Sequence, residues 1–249
     1  MEANFFKFQV FLFGDYDEVV ASSENINFFV QKFLPLNFIP KQVQELSLNI
    51  KGKNPEDLEK EFINRISLNS LDKKWEIIFN KDRLSFNYSF DIFKKEEFDL
   101  EMFKNSILEY LLLIEEKFNK KFYRLGIVVD KLLPVDEHDR EKFFLKFNTD
   151  SNFIGEDLSP VEWTNKIVVR KKIEVLDNEI VNISNMNSFI EAQISSKNKD
   201  IDFKGIHNVI DLNTLAVITD KRFDRKSVDT FLTQANTFIN KIFTYNQVE

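Results

Sequence analysis

The sequence predicts an α+β protein in which antiparallel sheet is covered on one face by two long helices. Residues 83 to 91 alternate between polar and apolar side chains, a pattern typical of a strand with one face in a core and one in water. From Asp99, apolar residues recur every three or four positions as far as Phe118, which predicts a helix lying across a sheet. A second stripe of this kind begins near Asp224 and predicts the other long helix.

The first half of the chain is predicted to run strand, helix, strands, helix. Ser22, Ser23 or Asn25 can cap a short helix that stops near Pro35, and Pro55 can open a helical stretch. The short polar link at residues 80 to 82 suits a hairpin. The predicted strands are 4–13, 41–51, 74–80 and 83–91, the predicted helical segments are 55–61 and 99–119, and residues 62–68 are ambiguous.

The second half is predicted to repeat this order. Its strands are 122–133, 166–176, 179–187 and 206–218, its helices are 136–147 and the one from 224, and its loops are 148–163 and 195–202. The turn at Asp177 and Asn178 suits a hairpin. The parallel order suggests two duplicated halves, residues 1–120 and 121–249, with a single continuous domain as the alternative.

Composition limits the chemistry available to the chain. Its 249 residues are 43% apolar, which is enough for a substantial core. The absence of cysteine excludes disulfides, thiolate catalysis and thiolate metal sites. The first residues lack the basic segment of a signal peptide and no apolar run reaches the roughly 20 residues that span a membrane, so a cytoplasmic protein without membrane contact is expected.

Three cations form the candidate nucleic-acid site. Lys166, Arg170 and Lys172 share one face of a predicted strand and could contact phosphates. A solvent-facing strand protected by charge explains the same residues. The net charge of -7 opposes general nucleic-acid binding, so any binding should be local and salt-sensitive.

The catalytic candidates are few. His138 lies among acidic residues that resemble metal ligands but also suit an exposed helix start. His207 could be a general base oriented by Asp211, yet no nucleophile motif accompanies it.

Carboxylates next to a lysine raise the alternative of metal-dependent phosphodiester cleavage. The residues concerned are Asp15, Asp17, Asp200, Asp202 and Lys204, in patterns that are common by chance. No glycine-rich phosphate loop is present, and neither a cofactor nor a metal site is expected.

Several short segments follow one another in a distinctive order: residues 75–79, Arg83-Leu-Ser-Phe86, the helix 99–119, Arg124-Leu-Gly126, and the strand with Asp211 before the final helix. In order and wording these segments resemble a sporadically distributed family of uncharacterised prokaryotic proteins of about this length. The resemblance covers roughly residue 62 to the end, and departs from the family at residues 127 to 130, where relatives carry Arg-Tyr-apolar-Asn. It implies the patchy distribution of phage-defence accessories and brings no known activity.

The shortage of catalytic residues predicts a non-enzymatic protein that acts by association with a protein partner or with itself. The resemblance adds the expectation of an accessory or sensor in phage defence. A nucleic-acid-binding regulator and a metal-dependent nuclease are the alternatives.

Overall fold

A computed structural model describes residues 4–50, 58–91, 94, 96–147, 162–196 and 199–246. In these residues nine strands form one antiparallel sheet in the order β2-β3-β4-β5-β1-β6-β9-β8-β7. The strands are β1 Asn4–Phe13, β2 Phe38–Ile50, β3 Leu58–Ser70, β4 Trp75–Asn80, β5 Arg83–Ser89, β6 Arg124–Pro134, β7 Trp163–Ile173, β8 Glu179–Ser196 and β9 Lys199–Thr214. The helices are α1 Ser23–Phe33, α2 Leu100–Glu115, α3 Glu137–Phe147 and α4 Arg225–Asn246.

The predicted fold, a sheet covered by two long helices, is wrong. In the described part of the chain, one nine-stranded sheet carries four helices. Neighbouring strands lie about 4.8 Å apart, so nine strands span roughly 38 Å, whereas two helices each about 10 Å across cover roughly half of that width. The two short helices α1 and α3 therefore share the covering of this face with α2 and α4.

The first strand of each half lies at the centre of the sheet. β1 pairs with β6, and each is flanked by the strand that closes its own half, β5 or β9. From β1 the chain crosses through α1 to the edge strand β2 and returns strand by strand to β5. From β6 it crosses through α3 to the edge strand β7 and returns to β9. The division into domains at residue 120 stays a prediction.

The helix starts follow the predicted capping. Ser22 Oγ accepts from the Asn25 N–H at 3.2 Å, and Asp99 Oδ1 accepts from the Met102 N–H at 2.8 Å. Asp224 does the same for the Ser227 N–H at 2.9 Å at the start of α4. None of the helices in the described parts of the chain has the length and apolar character needed to cross a membrane.

The core lies between the helices and one face of the sheet and is largely aromatic. On α1, Phe29 contacts Phe79 of β4 with ring centroids 5.1 Å apart, and on α2 Phe103 contacts Phe8 of β1 at 5.3 Å. At the far side of the sheet, α3 forms a separate small cluster around Trp163, to which Phe147 lies at 5.9 Å. Each helix is thus fixed by rings that the alternating strands present on one face.

Two predicted segments differ from the structure. Residues 58–61, predicted helical, lie in β3, because thirteen consecutive pairs with β2 outweigh the local preference set by Pro55. The predicted loop at 195–202 belongs largely to the ends of β8 and β9, which pair as far as Ser196 and Lys199. The predicted loop 148–163 falls mostly outside the described residues, which resume at 162.

Gly205 is a point where β9 and β6 approach closely. A Cβ atom built on Gly205 would lie 2.2 Å from the Leu133 carbonyl oxygen and 2.9 Å from Pro134 Cα. We expect Gly205→Ala to destabilise the fold by about 1–3 kcal/mol, since backbone atoms must move to admit the methyl group. Gly126→Ala is the matched control, because its Cβ would meet no atom closer than 3.6 Å. Urea unfolding of both variants is the measurement. Equal midpoints would show that β6 and β9 can move apart to admit the methyl group without loss of stability.

Candidate functional site

The second face of the sheet carries none of the described helices, and we call it the open face. Strand side chains alternate between the two faces of the sheet. The rings that contact the helices lie on one face: Phe79 contacts α1, Phe8 contacts α2 and Trp163 contacts α3. The opposite positions are occupied mainly by polar and cationic side chains. The open face is therefore a broad, mainly polar surface that the described helices leave uncovered.

A row of aligned side chains crosses the open face from β5 to β7. Phe13 on β1 is paired with Arg83 on one side and Arg124 on the other. Further along, Asn213 is paired with Asn182, and Asn182 with Arg170. We call Arg83, Phe13, Arg124, Asn213, Asn182 and Arg170 the arginine row. It spans five strand spacings, or roughly 24 Å.

Rings and amides, rather than carboxylates, hold these guanidinium groups. Arg83 lies over the ring of Phe11 at 5.1 Å and Arg124 over that of Phe13 at 4.8 Å. The Arg124 Nη2 atom donates to Asn213 Oδ1 at 3.2 Å. The Nε of Arg170 donates to Asn182 Oδ1 at 3.1 Å. None of these contacts neutralises the positive charge.

Three other arginines pair with carboxylates instead. Arg65 pairs with Glu45 at 2.6 Å, Arg222 with Glu179 at 2.5 Å, and Arg225 with Glu115 at 2.9 Å. Among the described residues, the three arginines of the row have no carboxylate partner. Uncompensated guanidinium groups aligned on one face are suited to an anionic ligand.

The balance of charge on this part of the open face is positive although the whole chain is acidic. On the six strands from β5 to β7, the described side chains of the open face include two carboxylates, Asp130 and Asp211. Asp130 contacts His207, and Asp211 accepts from Asn213 at 3.0 Å. Against them stand six cations: Lys7, Arg83, Arg124, Lys166, Arg170 and Lys172.

The predicted site residues Lys166, Arg170 and Lys172 all lie exposed on the open face of β7. The structure brings Arg170 into the arginine row, while Lys166 and Lys172 flank it along the same strand. Sequence reasoning missed Arg83 and Arg124. The alternation of residues 83–91 did place Arg83 opposite the core, but no local pattern indicated which strands would be its neighbours.

A pocket of about 490 Å³ lies on the open face between β2 and the amino-terminal end of β1. Lys7 and Lys41 line it from the sheet, and Lys74 lines it while pairing with Glu96 at 2.9 Å. Among the described residues, Lys7 and Lys41 have no acidic partner. Four lysines and one carboxylate, Glu76, line this pocket, so the excess of positive charge continues beyond the arginine row towards β2.

His207 contacts a different carboxylate from the one that the sequence suggested. Its Nε2 lies 2.9 Å from Asp130 Oδ1 on the neighbouring strand β6. Asp211 is four residues along the same strand, roughly 13 Å away, and cannot orient the ring. Ser188 is the cross-strand neighbour of His207, but its Oγ bonds Thr164 Oγ1 at 3.0 Å. The arrangement lacks the hydroxyl-to-imidazole hydrogen bond of a nucleophile and its base.

Two of the other catalytic candidates, Asp17 and Lys204, form ion pairs with residues outside the candidate set. Asp17 pairs with Arg65 at 3.4 Å, whereas Lys204, on β9, pairs with Glu191 at 2.9 Å. The Asp17 N–H donates to Asp15 Oδ1 at 3.2 Å and holds the pKa of Asp15 below its usual value. Asp202 is exposed, and the side chains of Asp200 and His138 lie outside the described residues. Within the described residues, no group of three or more potential metal ligands occurs.

Comparison with known proteins identified no relative of this chain. No family model, curated protein or solved structure matches the chain. The resemblance to a family of uncharacterised prokaryotic proteins, and with it a role in phage defence, stays a prediction.

Proposed function

We propose that this protein binds single-stranded nucleic acid on the open face of its sheet. The observation that carries the proposal is the arginine row, in which three guanidinium groups with no carboxylate partner among the described residues lie across six strands. Phosphate groups would compensate these charges, and the planar guanidinium matches phosphate in two-point hydrogen bonding.

The side chains between the arginines favour a single strand over a duplex. Phe11 and Phe13 are half-buried and lie beneath Arg83 and Arg124. Unpaired bases can stack on guanidinium planes and aromatic rings, whereas the bases of a duplex expose only their edges. Asn182 and Asn213 add amide groups that can bond base edges. The same face thus supplies charge, stacking and hydrogen bonding.

The test measures the binding of labelled twelve-nucleotide oligo(dT) and oligo(U) by fluorescence anisotropy over a series of salt concentrations. A labelled duplex of equal length is measured in the same way for comparison. Lys166, Arg170 and Lys172 changed together to Gln should flatten the logarithmic salt slope by about 2, since each lost phosphate contact on a single strand removes about 0.7. Arg83→Gln with Arg124→Gln should weaken binding by about tenfold or more, because two charged hydrogen-bond donors are lost.

The control is an equal loss of charge on the helix side. Lys121, Lys226 and Lys241 are exposed, and changing all three to Gln should leave affinity and slope close to those of the parent. If the control variant loses as much binding as the open-face variants, the attraction is unspecific. Tighter binding of the duplex would replace the single-strand proposal, and absence of binding at low salt would refute a nucleic-acid function.

A further inference from the structure

In the described part of the chain, β7 is an edge strand whose middle is apolar and exposed. All eleven of its residues pair with β8, and none of the described strands lies on its outer side. Ile167, Val168 and Val169 are 54%, 55% and 51% exposed. Consecutive residues point to opposite faces, so these values mean that the strand is uncovered on both sides. An edge of this kind is a template for pairing with a further strand.

The contacts described between the helices and β7 lie near the two ends of the strand. Phe144 and Phe147 of α3 lie at 6.1 and 5.9 Å from Trp163, at the start of the strand. Lys171, near its end, lies over Phe238 of α4 at 4.5 Å. Between these contacts Ile167 and Val169 face the helix side without a described helix above them. The gap leaves room for the side chains of an added strand.

The charge of β7 decides between a second copy and a different partner. Four of its eleven residues are cations, Lys166, Arg170, Lys171 and Lys172. A second copy pairing antiparallel about Val168 would set Lys166 opposite Arg170, and like charges directly opposite each other are destabilising. An acidic strand would instead meet opposite charges along the same edge.

We propose that β7 docks an extended acidic segment of a partner protein, which joins the sheet as an additional strand. Its acidic residues would lie on the open face against Lys166, Arg170 and Lys172, and its alternate apolar residues against Ile167 and Val169. The main-chain hydrogen bonds of the free edge supply affinity, while the alternation of charged and apolar side chains supplies specificity. This inference depends on β7 alone and not on nucleic-acid binding.

The test uses a labelled nine-residue peptide of alternating glutamate and valine, and a second peptide in which lysine replaces glutamate. The glutamate peptide should bind and slow amide hydrogen exchange in β7, and the lysine peptide should not. Ile167→Thr with Val169→Thr should weaken binding by about tenfold or more through the loss of buried methyl groups. Ile39→Thr on the opposite edge strand β2, where Ile39 is 43% exposed, should change nothing.

The variants separate peptide binding by β7 from nucleic-acid binding and from dimer formation. Arg83→Gln with Arg124→Gln should weaken nucleic-acid binding and leave peptide binding intact, because neither residue lies on β7. Failure of the glutamate peptide to bind, or equal binding of both peptides, would overturn the proposal. A concentration-dependent dimer in sedimentation that Ile167→Thr with Val169→Thr abolishes would make a second copy the occupant.

Discussion

Replacing Leu111 with aspartate should destabilise the protein by about 3–5 kcal/mol or more. Leu111 is 1% exposed on α2 and belongs to the central core. Loss of the leucine alone costs roughly 2–5 kcal/mol in such a site, and a carboxylate without a partner adds the cost of its desolvation. Since domains of this kind are stable by only about 5–15 kcal/mol, Leu111→Asp should remove a large part of the total.

The adjacent residue provides the control. Leu112 is 49% exposed on the same helix, and Leu112→Asp should change stability by about 0.5 kcal/mol or less. Urea unfolding followed by circular dichroism measures both variants, and Leu111→Ala serves if Leu111→Asp does not fold. Similar midpoints for Leu111→Asp and Leu112→Asp would mean that α2 packs with a different face.

Arg65→Met should have the second large effect, a loss of about 3 kcal/mol. Arg65 is 1% exposed, although arginine is seldom fully buried. Its Nε bonds Glu45 at 2.6 Å, and its Nη1 donates to the carbonyl oxygens of Tyr16 and Asp17, both at 3.1 Å. Removal of the cation leaves the Glu45 carboxylate without its ion-pair partner and frees the loop after β1. Breaking a buried pair costs about 3–5 kcal/mol.

Arg225→Met is the comparison that isolates burial. Arg225 bonds Glu115 at 2.9 Å but is 42% exposed, so its ion pair should contribute less than about 1 kcal/mol. Thermal unfolding with both variants at one pH and salt concentration is sufficient. An Arg65→Met variant as stable as Arg225→Met would show that solvent replaces the bonds of the buried guanidinium.

Helices, turns and strand faces could be predicted from the sequence where they depend on residues close together in the chain. The stripe from Leu100 to Ile114 became α2 because helix periodicity brings those side chains onto one face, and Asp99 capped it as its position indicated. The turn at Asp177 and Asn178 adopts positive φ angles of 49° and 62°, which aspartate and asparagine tolerate better than other residues with a side chain. The face shared by Lys166, Arg170 and Lys172 followed in the same way from strand alternation.

Burial within a strand was harder to foresee. Asn208 reads as a polar position in the sequence yet is fully buried, where its Nδ2 donates to Asn185 Oδ1 and Asn187 Oδ1, both at 2.7 Å. Ser85 and Asn87, on the polar side of β5, are also buried at 3% and 7% exposure. Their burial depends on the strands that flank them. The Asn87 amide bonds Gln9 and Glu76 on neighbouring strands, whereas the Ser85 hydroxyl is enclosed without a hydrogen-bond partner among the described residues.

The sequence by itself determined the positions of most helices and strands, the single-sided polarity of β5 and the cationic face of β7. The order of the strands could be seen only in the tertiary structure. That order places Arg83 and Arg170 in one row, although they are 87 positions apart in the chain. Backbone hydrogen bonds between strands are nearly the same for every sequence, so they do not select neighbours. Selection comes from packing one face against the helices, and this requires the whole chain.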